Sequence, residues 1–272
     1  MKNHYYILNS QPIQGFQPNL GESSNQKQVY EVIRVIDSVP LFVEEHLKRL
    51  EKSLSLINAS VHIDLHQLLQ DIHRLIEMNH VVSQNFKILV NNLDCNPQVY
   101  LFLLESRYPT KNLYDQGVHS ILYQAERENP NAKMIQLNFR EKINKKLKQL
   151  EAYEALLVNS HEEITEGSRS NLFFVKGSTL YTPPSENVLM GITRERILQL
   201  CNQLDIHVVE QSIHRHFLKE VDGLFLTGTS PKILPISSVD DFTFQSPTLP
   251  VIKKLIGAYD DFILQYIINY TK

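Results

Sequence analysis

The sequence predicts an α+β fold in two domains, and three observations carry the prediction. Short β-branched runs of strand length recur along the chain. Between some of them lie longer stretches with apolar residues at helical spacing, but without strict βαβ alternation. A polar, proline-containing segment near the middle, Gln124–Asn131, reads as a connection between units. The predicted division is a small sheet-plus-helices domain over residues 1–115, a connection over 116–131 and a larger domain over 132–272.

Val29–Val35 is β-branched and partly alternating, so it reads as a strand. Asp37-Ser38 makes a turn, and Leu41-Phe42-Val43 is expected to begin the return strand. From Glu44 to Ile57 the apolar residues Leu47, Leu50, Leu54 and Ile57 fall on one helical face, and a second amphipathic helix is expected over Leu65–Met78. Phe86–Val90 and Val99–Leu104 read as strands around an Asn-Asn-Leu-Asp turn. Beyond the connection, Ile143, Leu147 and Leu150 mark a helix. Ala155–Val158 and Asn171–Val175 are expected to pair as a hairpin, with Leu180–Thr182 as a third strand. A helix starts near Thr193. Strands follow at Ile206–Val209 and Gly223–Thr227, and a final helix covers Pro250–Ile268.

Composition narrows the function classes. At 272 residues, 42% of them hydrophobic, the chain can bury a substantial core. A net charge of -3 argues against a dedicated nucleic-acid binder, and the basic run Lys142–Lys148 reads as a solvated helix face. Cys95 and Cys201 offer neither metal spacing nor a disulfide framework and read as reduced thiols. The N-terminus lacks the apolar core of a signal peptide, and no apolar run is long enough to span a bilayer. The expectation is a cytoplasmic protein that binds no metal, membrane or nucleic acid.

The segment Glu163–Phe174, Glu-Ile-Thr-Glu-Gly-Ser-Arg-Ser-Asn-Leu-Phe-Phe, is the densest in chemistry-bearing residues. Glu166 beside Gly167 reads either as a turn residue or as a functional acid. Lys133 lies in an apolar setting, Asn-Ala-Lys-Met-Ile, where burial would lower its pKa, although most lysines are solvated. Arg49 carries a fork suited to phosphate oxygens, or is an exposed helical arginine beside Lys48 and Lys52. Thr193 is a plausible N-cap after Gly191-Ile192, so the N–H groups of Ile192 and Thr193 would point at an anion.

Taken together these residues resemble the fold-type IV pyridoxal-phosphate enzymes, which include D-amino-acid and branched-chain aminotransferases and 4-amino-4-deoxychorismate lyase. The resemblance runs from about Tyr30 to Pro235 and rests on Val-Tyr-Glu-Val, His-Leu-Lys-Arg, Thr-Glu-Gly-Ser-x-Ser-Asn, Gly-Ile-Thr-Arg and Leu-Thr-Gly-Thr-Ser. It implies a D-amino-acid-aminotransferase-like architecture with pyridoxal 5′-phosphate in the cleft between two domains, a homodimer whose second subunit completes the pocket, and a small amino substrate. It assigns Lys133 to the cofactor aldehyde, Glu166 to the pyridine nitrogen, and Arg49, Ile192, Thr193 and Thr229 to the phosphate. Ser170 falls on the polar wall near the cofactor, and Tyr30 lines the active site or is a core strand tyrosine.

Three departures stand out. Asn19–Ser24 replaces the family's Asp-Arg and Gly-Asp-Gly loop. Gln136 stands where an asparagine commonly follows the lysine. The Arg-x-His carboxylate trap of D-amino-acid aminotransferases is missing, and Arg107 is the substitute cation in that stretch. The missing trap and compact length make a 4-amino-4-deoxychorismate lyase the leading expectation, releasing pyruvate and 4-aminobenzoate for folate synthesis. A D-amino-acid or branched-chain aminotransferase is the alternative, and a non-catalytic relative the third reading.

Overall fold

The computed structural model describes residues 4–15, 27–59, 61–94 and 96–271. The Asn19–Ser24 departure and Cys95 lie outside them. The chain divides into two compact units. The first takes residues 1–107, 132–137 and 263–272, and the second takes 108–131 and 138–262.

The first unit is built on β1 (His4–Leu8), β2 (Gln11–Gly15), β3 (Val29–Ile36), β4 (Val39–Pro40), β5 (Gln84–Asn91) and β6 (Gln98–Leu103). They form an antiparallel sheet in the order β2-β1-β6-β5-β3-β4. Burial along β3 alternates residue by residue, as a period-2 strand requires. Val29, Ile33 and Val35 pack with Leu47, Leu50 and Leu54 of α1 (Val43–Leu56) and with Leu68, Ile72 and Leu75 of α2 (Leu65–Met78). Asp64 caps α2, accepting from the amides of His66 and Gln67. The opposite sheet face is aromatic: Leu89, Tyr100 and Phe102 are buried, with Tyr6, Leu8, Tyr30 and Ile135 packed against them.

The expected return strand at Leu41–Val43 is a correction. Asp37 and Ser38 form a two-residue turn at φ 50° and 64°, so pairing ends at Val39–Pro40. Phe42, left-handed at φ 54°, is the N-cap of α1. Its ring lies edge-on to Tyr266 at 4.8 Å, which buries an aromatic where a strand would have carried it along the sheet.

The second unit contains β7 (Val118–Gln124), β8 (Glu154–Val158), β9 (Glu163–Gly167), β10 (Asn171–Lys176), β11 (Thr179–Thr182), β12 (Val208–Glu210), β13 (Ile213–His214), β14 (Gly223–Gly228), β15 (Lys232–Val239) and β16 (Phe242–Thr243). The sheet order is β12-β11-β10-β14-β15-β7-β8-β9-β13, with β16 on β15. Helices α3 (Lys111–Gln116), α4 (Leu137–Gln149) and α5 (Ile192–Gln203) belong mainly to this unit. The last helix, α6 (Pro250–Tyr270), contributes residues to both units.

The expected hairpin of 155–158 with 171–175 does not form. β8 pairs with β7 and β9, whereas β10 pairs with β11 and β14, where Phe173 stacks on Phe225 at 5.1 Å. Gly167–Asn171 is therefore the turn joining β9 to β10. That places the motif at the ends of two strands.

Candidate active site

In the first unit the candidate residues converge on β3. Lys133 has its backbone fixed at both ends: its carbonyl accepts from Tyr30 at 3.1 Å, and its N–H donates to the buried Ser53 hydroxyl of α1 at 3.1 Å. Ile135 donates to the carbonyl of Gln28, so residues 133–135 run along β3 like a fragment of an added strand. The Lys133 Nζ stands 4.9 Å from the centre of the Tyr30 ring. Lys87, which the sequence reading passed over, places its Nζ 4.9 Å from the same ring and 6.0 Å from Phe102.

Beneath this, on the helix-facing side of β3, lies a buried charged group that sequence reading found only in part. Glu31 has no exposed surface. It accepts from Arg49 Nε at 2.7 Å and Nη2 at 2.8 Å, and it meets His46 Nδ1 at 2.7 Å. Arg49 and His46 lie one turn apart on α1, so both reach the same strand residue. Burial alone would raise the Glu31 pKa, but the Arg49 and His46 contacts outweigh it and hold the carboxyl well below the usual carboxylate range. Burial pulls the His46 pKa down, against the opposing pull of Glu31. Arg49 is thus a buried, oriented guanidinium and not an exposed helical arginine.

In the second unit Glu166 is 2% exposed. It accepts the Leu189 N–H at 3.1 Å and forms an ion pair with Arg127 Nε at 3.1 Å. Arg127 Nη2 also donates to the carbonyl of Ser168. A second buried acid, Glu154, organises the turn that follows. It accepts from the amides of Ser168 and Arg169 and from the hydroxyls of Ser168 (2.6 Å) and Ser170 (2.9 Å). Ser170 therefore donates its hydroxyl proton to Glu154. Sequence reading missed both partners. Arg127 lay in a segment that reads as a polar connection, and Glu154 at a strand start gives no local signal.

The start of α5 differs by two residues from the expectation. Gly191, not Thr193, is the N-cap, and no side chain caps it among the described residues. The amides of Ile192 and Thr193 occupy the first turn, where a helix presents its positive end. A Cβ on Gly191 would meet Asn171 Oδ1 at 2.0 Å, and Asn171 itself donates to the carbonyl of Leu189 at 2.8 Å. Opposite Asn171 in the ladder, the Thr227 hydroxyl is buried and has no hydrogen-bond partner among the described residues. Thr229 follows on the turn after β14. An uncapped helix start with an orphaned buried hydroxyl in the neighbouring strand fits a group with anionic oxygens.

Arg107 stands apart. Its side chain is 89% exposed and lies 3.6 Å from the equally solvated Glu105.

A family model for amino-transferase class IV matches residues 28–239. The chain belongs to that family. Class IV aminotransferases use pyridoxal 5′-phosphate. Taken unit by unit, Lys133 is of the type that holds an aldehyde, and the buried Glu166 and the uncapped start of α5 are of the types that suit a pyridine nitrogen and a phosphate. The chain is 27% identical to the D-alanine aminotransferase of Bacillus licheniformis, over 87% of each chain. It is similar to the branched-chain amino acid aminotransferase structure from Escherichia coli, with 25% identity, a TM-score of 0.87 and coverage of 96% and 95%. A Legionella pneumophila structure provisionally named 4-amino-4-deoxychorismate lyase shares the fold, at TM-score 0.80 and 22% identity over 90% and 96%. No helix among the described residues is long and apolar enough to cross a membrane.

Proposed function

We propose that this class IV family member is an amino-acid aminotransferase, with D-amino acids as the class to test first. The observation that carries the cofactor part of the reading is Glu166, a buried carboxylate held between Arg127 and the Leu189 N–H. The Arg127 charge and the Leu189 N–H both suit the charged carboxylate, which is the form that keeps a pyridine nitrogen protonated. The identity and mutual coverage with the D-alanine aminotransferase support the transaminase side, as does Tyr30-Glu31-Val32. Pyridoxal phosphate supplies an aldehyde and an electron-withdrawing ring.

Lys133 would hold the aldehyde carbon. Its Nζ, when free, would serve as the base that takes the proton from the amine-bearing carbon of the substrate and as the acid that gives it back. Tyr30 limits where that amine can swing, because its ring lies against the nitrogen. Arg49, fixed in plane by Glu31, and the amides of Ile192 and Thr193 would take the phosphate oxygens, with Thr229 as a hydroxyl donor. Ser170 stiffens the turn through Glu154.

The same residues could serve the lyase, in which the freed lysine's proton abstraction is followed by loss of pyruvate. One experiment separates the two. The cofactor-loaded protein is given D- and L-alanine, leucine and glutamate with 2-oxo acid acceptors and, in parallel, 4-amino-4-deoxychorismate. Amino transfer that vanishes in Lys133→Ala supports the proposal. Release of 4-aminobenzoate and pyruvate without amino transfer would assign the lyase. No visible cofactor band that borohydride fixes would sink both.

A further inference from the structure

An aminotransferase must bind the carboxylate of its amino acid, and the expected Arg-x-His trap is missing from this sequence. We infer that Arg169, in the turn between β9 and β10, is the specificity-determining cation that takes the substrate α-carboxylate. The inference rests on the aminotransferase reading above.

The turn is rigid. The Arg169 N–H donates to Glu154 at 3.3 Å, and the flanking Ser168 and Ser170 hydroxyls bond to the same carboxylate. Gly167 donates to the carbonyl of Ser170 at 2.8 Å, closing the turn on itself. On one side, the carbonyl of Ser168 binds the Arg127 that pairs with Glu166. On the other, the Arg169 carbonyl lies 3.6 Å from where a Cβ on Gly228 would sit, beside Thr229. The backbone of Arg169 is thereby fixed between the proposed pyridine-nitrogen acid and the proposed phosphate hydroxyl.

Its side chain is the contrast. Arg127, Arg194 and Arg215 of this unit each meet a carboxylate, at 3.1, 2.7 and 2.6 Å. Arg169 is exposed and has no ion pair among the described residues. A guanidinium on a clamped turn, with its charge unmatched, suits an incoming carboxylate, which it can grip through two parallel N–H bonds. Arg107, the cation suggested by sequence, already faces Glu105 and is almost fully solvated.

The test uses the cofactor-loaded protein and follows cofactor absorbance after mixing with amine, separating dissociation constant from maximal rate. The ligands are the best-turned-over amino acid from the panel and isopropylamine, which has alanine's skeleton with a methyl in place of the carboxylate. Loss of one charge-assisted bidentate contact predicts that Arg169→Met weakens amino-acid binding about ten- to a hundredfold. Isopropylamine binding, cofactor affinity and melting temperature should stay at wild-type values, and Arg169→Lys should recover part of the loss. Equal losses for both amines, or unchanged amino-acid binding, would overturn the inference, as would a carboxylate-specific loss found only in Arg107→Ala. A wild-type protein without the Lys133-dependent band would instead bring down the cofactor assignment, and this inference with it.

Discussion

At the scale of single residues, the clearest consequence of the site is its response to acid. His46 is buried, so the folded protein resists protonating it, whereas the unfolded chain takes the proton near pH 6.5. Stability should therefore begin to fall as pH drops through about 6.5. Glu31 adds to this. Its folded pKa is depressed, so its contribution is complete above the unfolded value of about 4.3 and is lost as pH falls below that. Melting temperatures of the cofactor-free protein across this range should show both limbs. Glu31→Gln should flatten the acidic one while lowering stability at pH 7, because it leaves Arg49 buried without its charge partner. A wild-type profile that stays level from pH 7 to 4 would contradict this account of the triad. The same residues show what the sequence could tell. Arg49 and Glu166 stood out because their motifs are specific. Glu31 lay inside a motif that drew attention to Tyr30, and Arg127 and Glu154 were given no role, because each of the three acts on a residue distant in sequence.

At the scale of elements, helices were legible and strand partners were not. The α2 range follows from apolar spacing alone, since every third or fourth residue is buried against one sheet. The strand β7 was read as part of a connection, yet it pairs on both sides, with β8 and β15. Pairing of this kind depends on chain segments far apart, which period-2 patterning cannot rank. The start of α5 is the element most exposed to a single change. Gly191→Ala must displace the Asn171 amide, at 2.0 Å from the new carbon, and with it the carbonyl of Leu189 that Asn171 holds. Because the Leu189 N–H also binds Glu166, the change should disturb both the helix start and the acid. Cofactor titration should show affinity reduced by about tenfold or more, the scale of one lost charge-assisted contact. Unaltered affinity would mean that the helix start does not serve the phosphate.

At the scale of the whole molecule, the division of the chain was only partly visible in the sequence. Lys133 reads as the opening of the C-terminal domain, but residues 132–137 belong to the first unit by their contacts. The reason is backbone pairing: Tyr30 and Gln28 exchange hydrogen bonds with Lys133 and Ile135, and such bonds leave no mark on side-chain pattern. The resemblance also implies a homodimer in which a second subunit completes the pocket, and this can be tested without locating the interface. Light scattering at micromolar concentration should give twice the chain mass of 31.6 kDa. If the partner contributes to the substrate pocket, dilution should lower specific activity along the same curve as the loss of dimer, because the competent species is set by mass action. If the proposed cofactor contacts all come from one chain, the absorbance of the Lys133-bound cofactor should change less than activity on dilution. Full activity from a monodisperse monomer would overturn the dimer expectation and require one chain to close its own pocket.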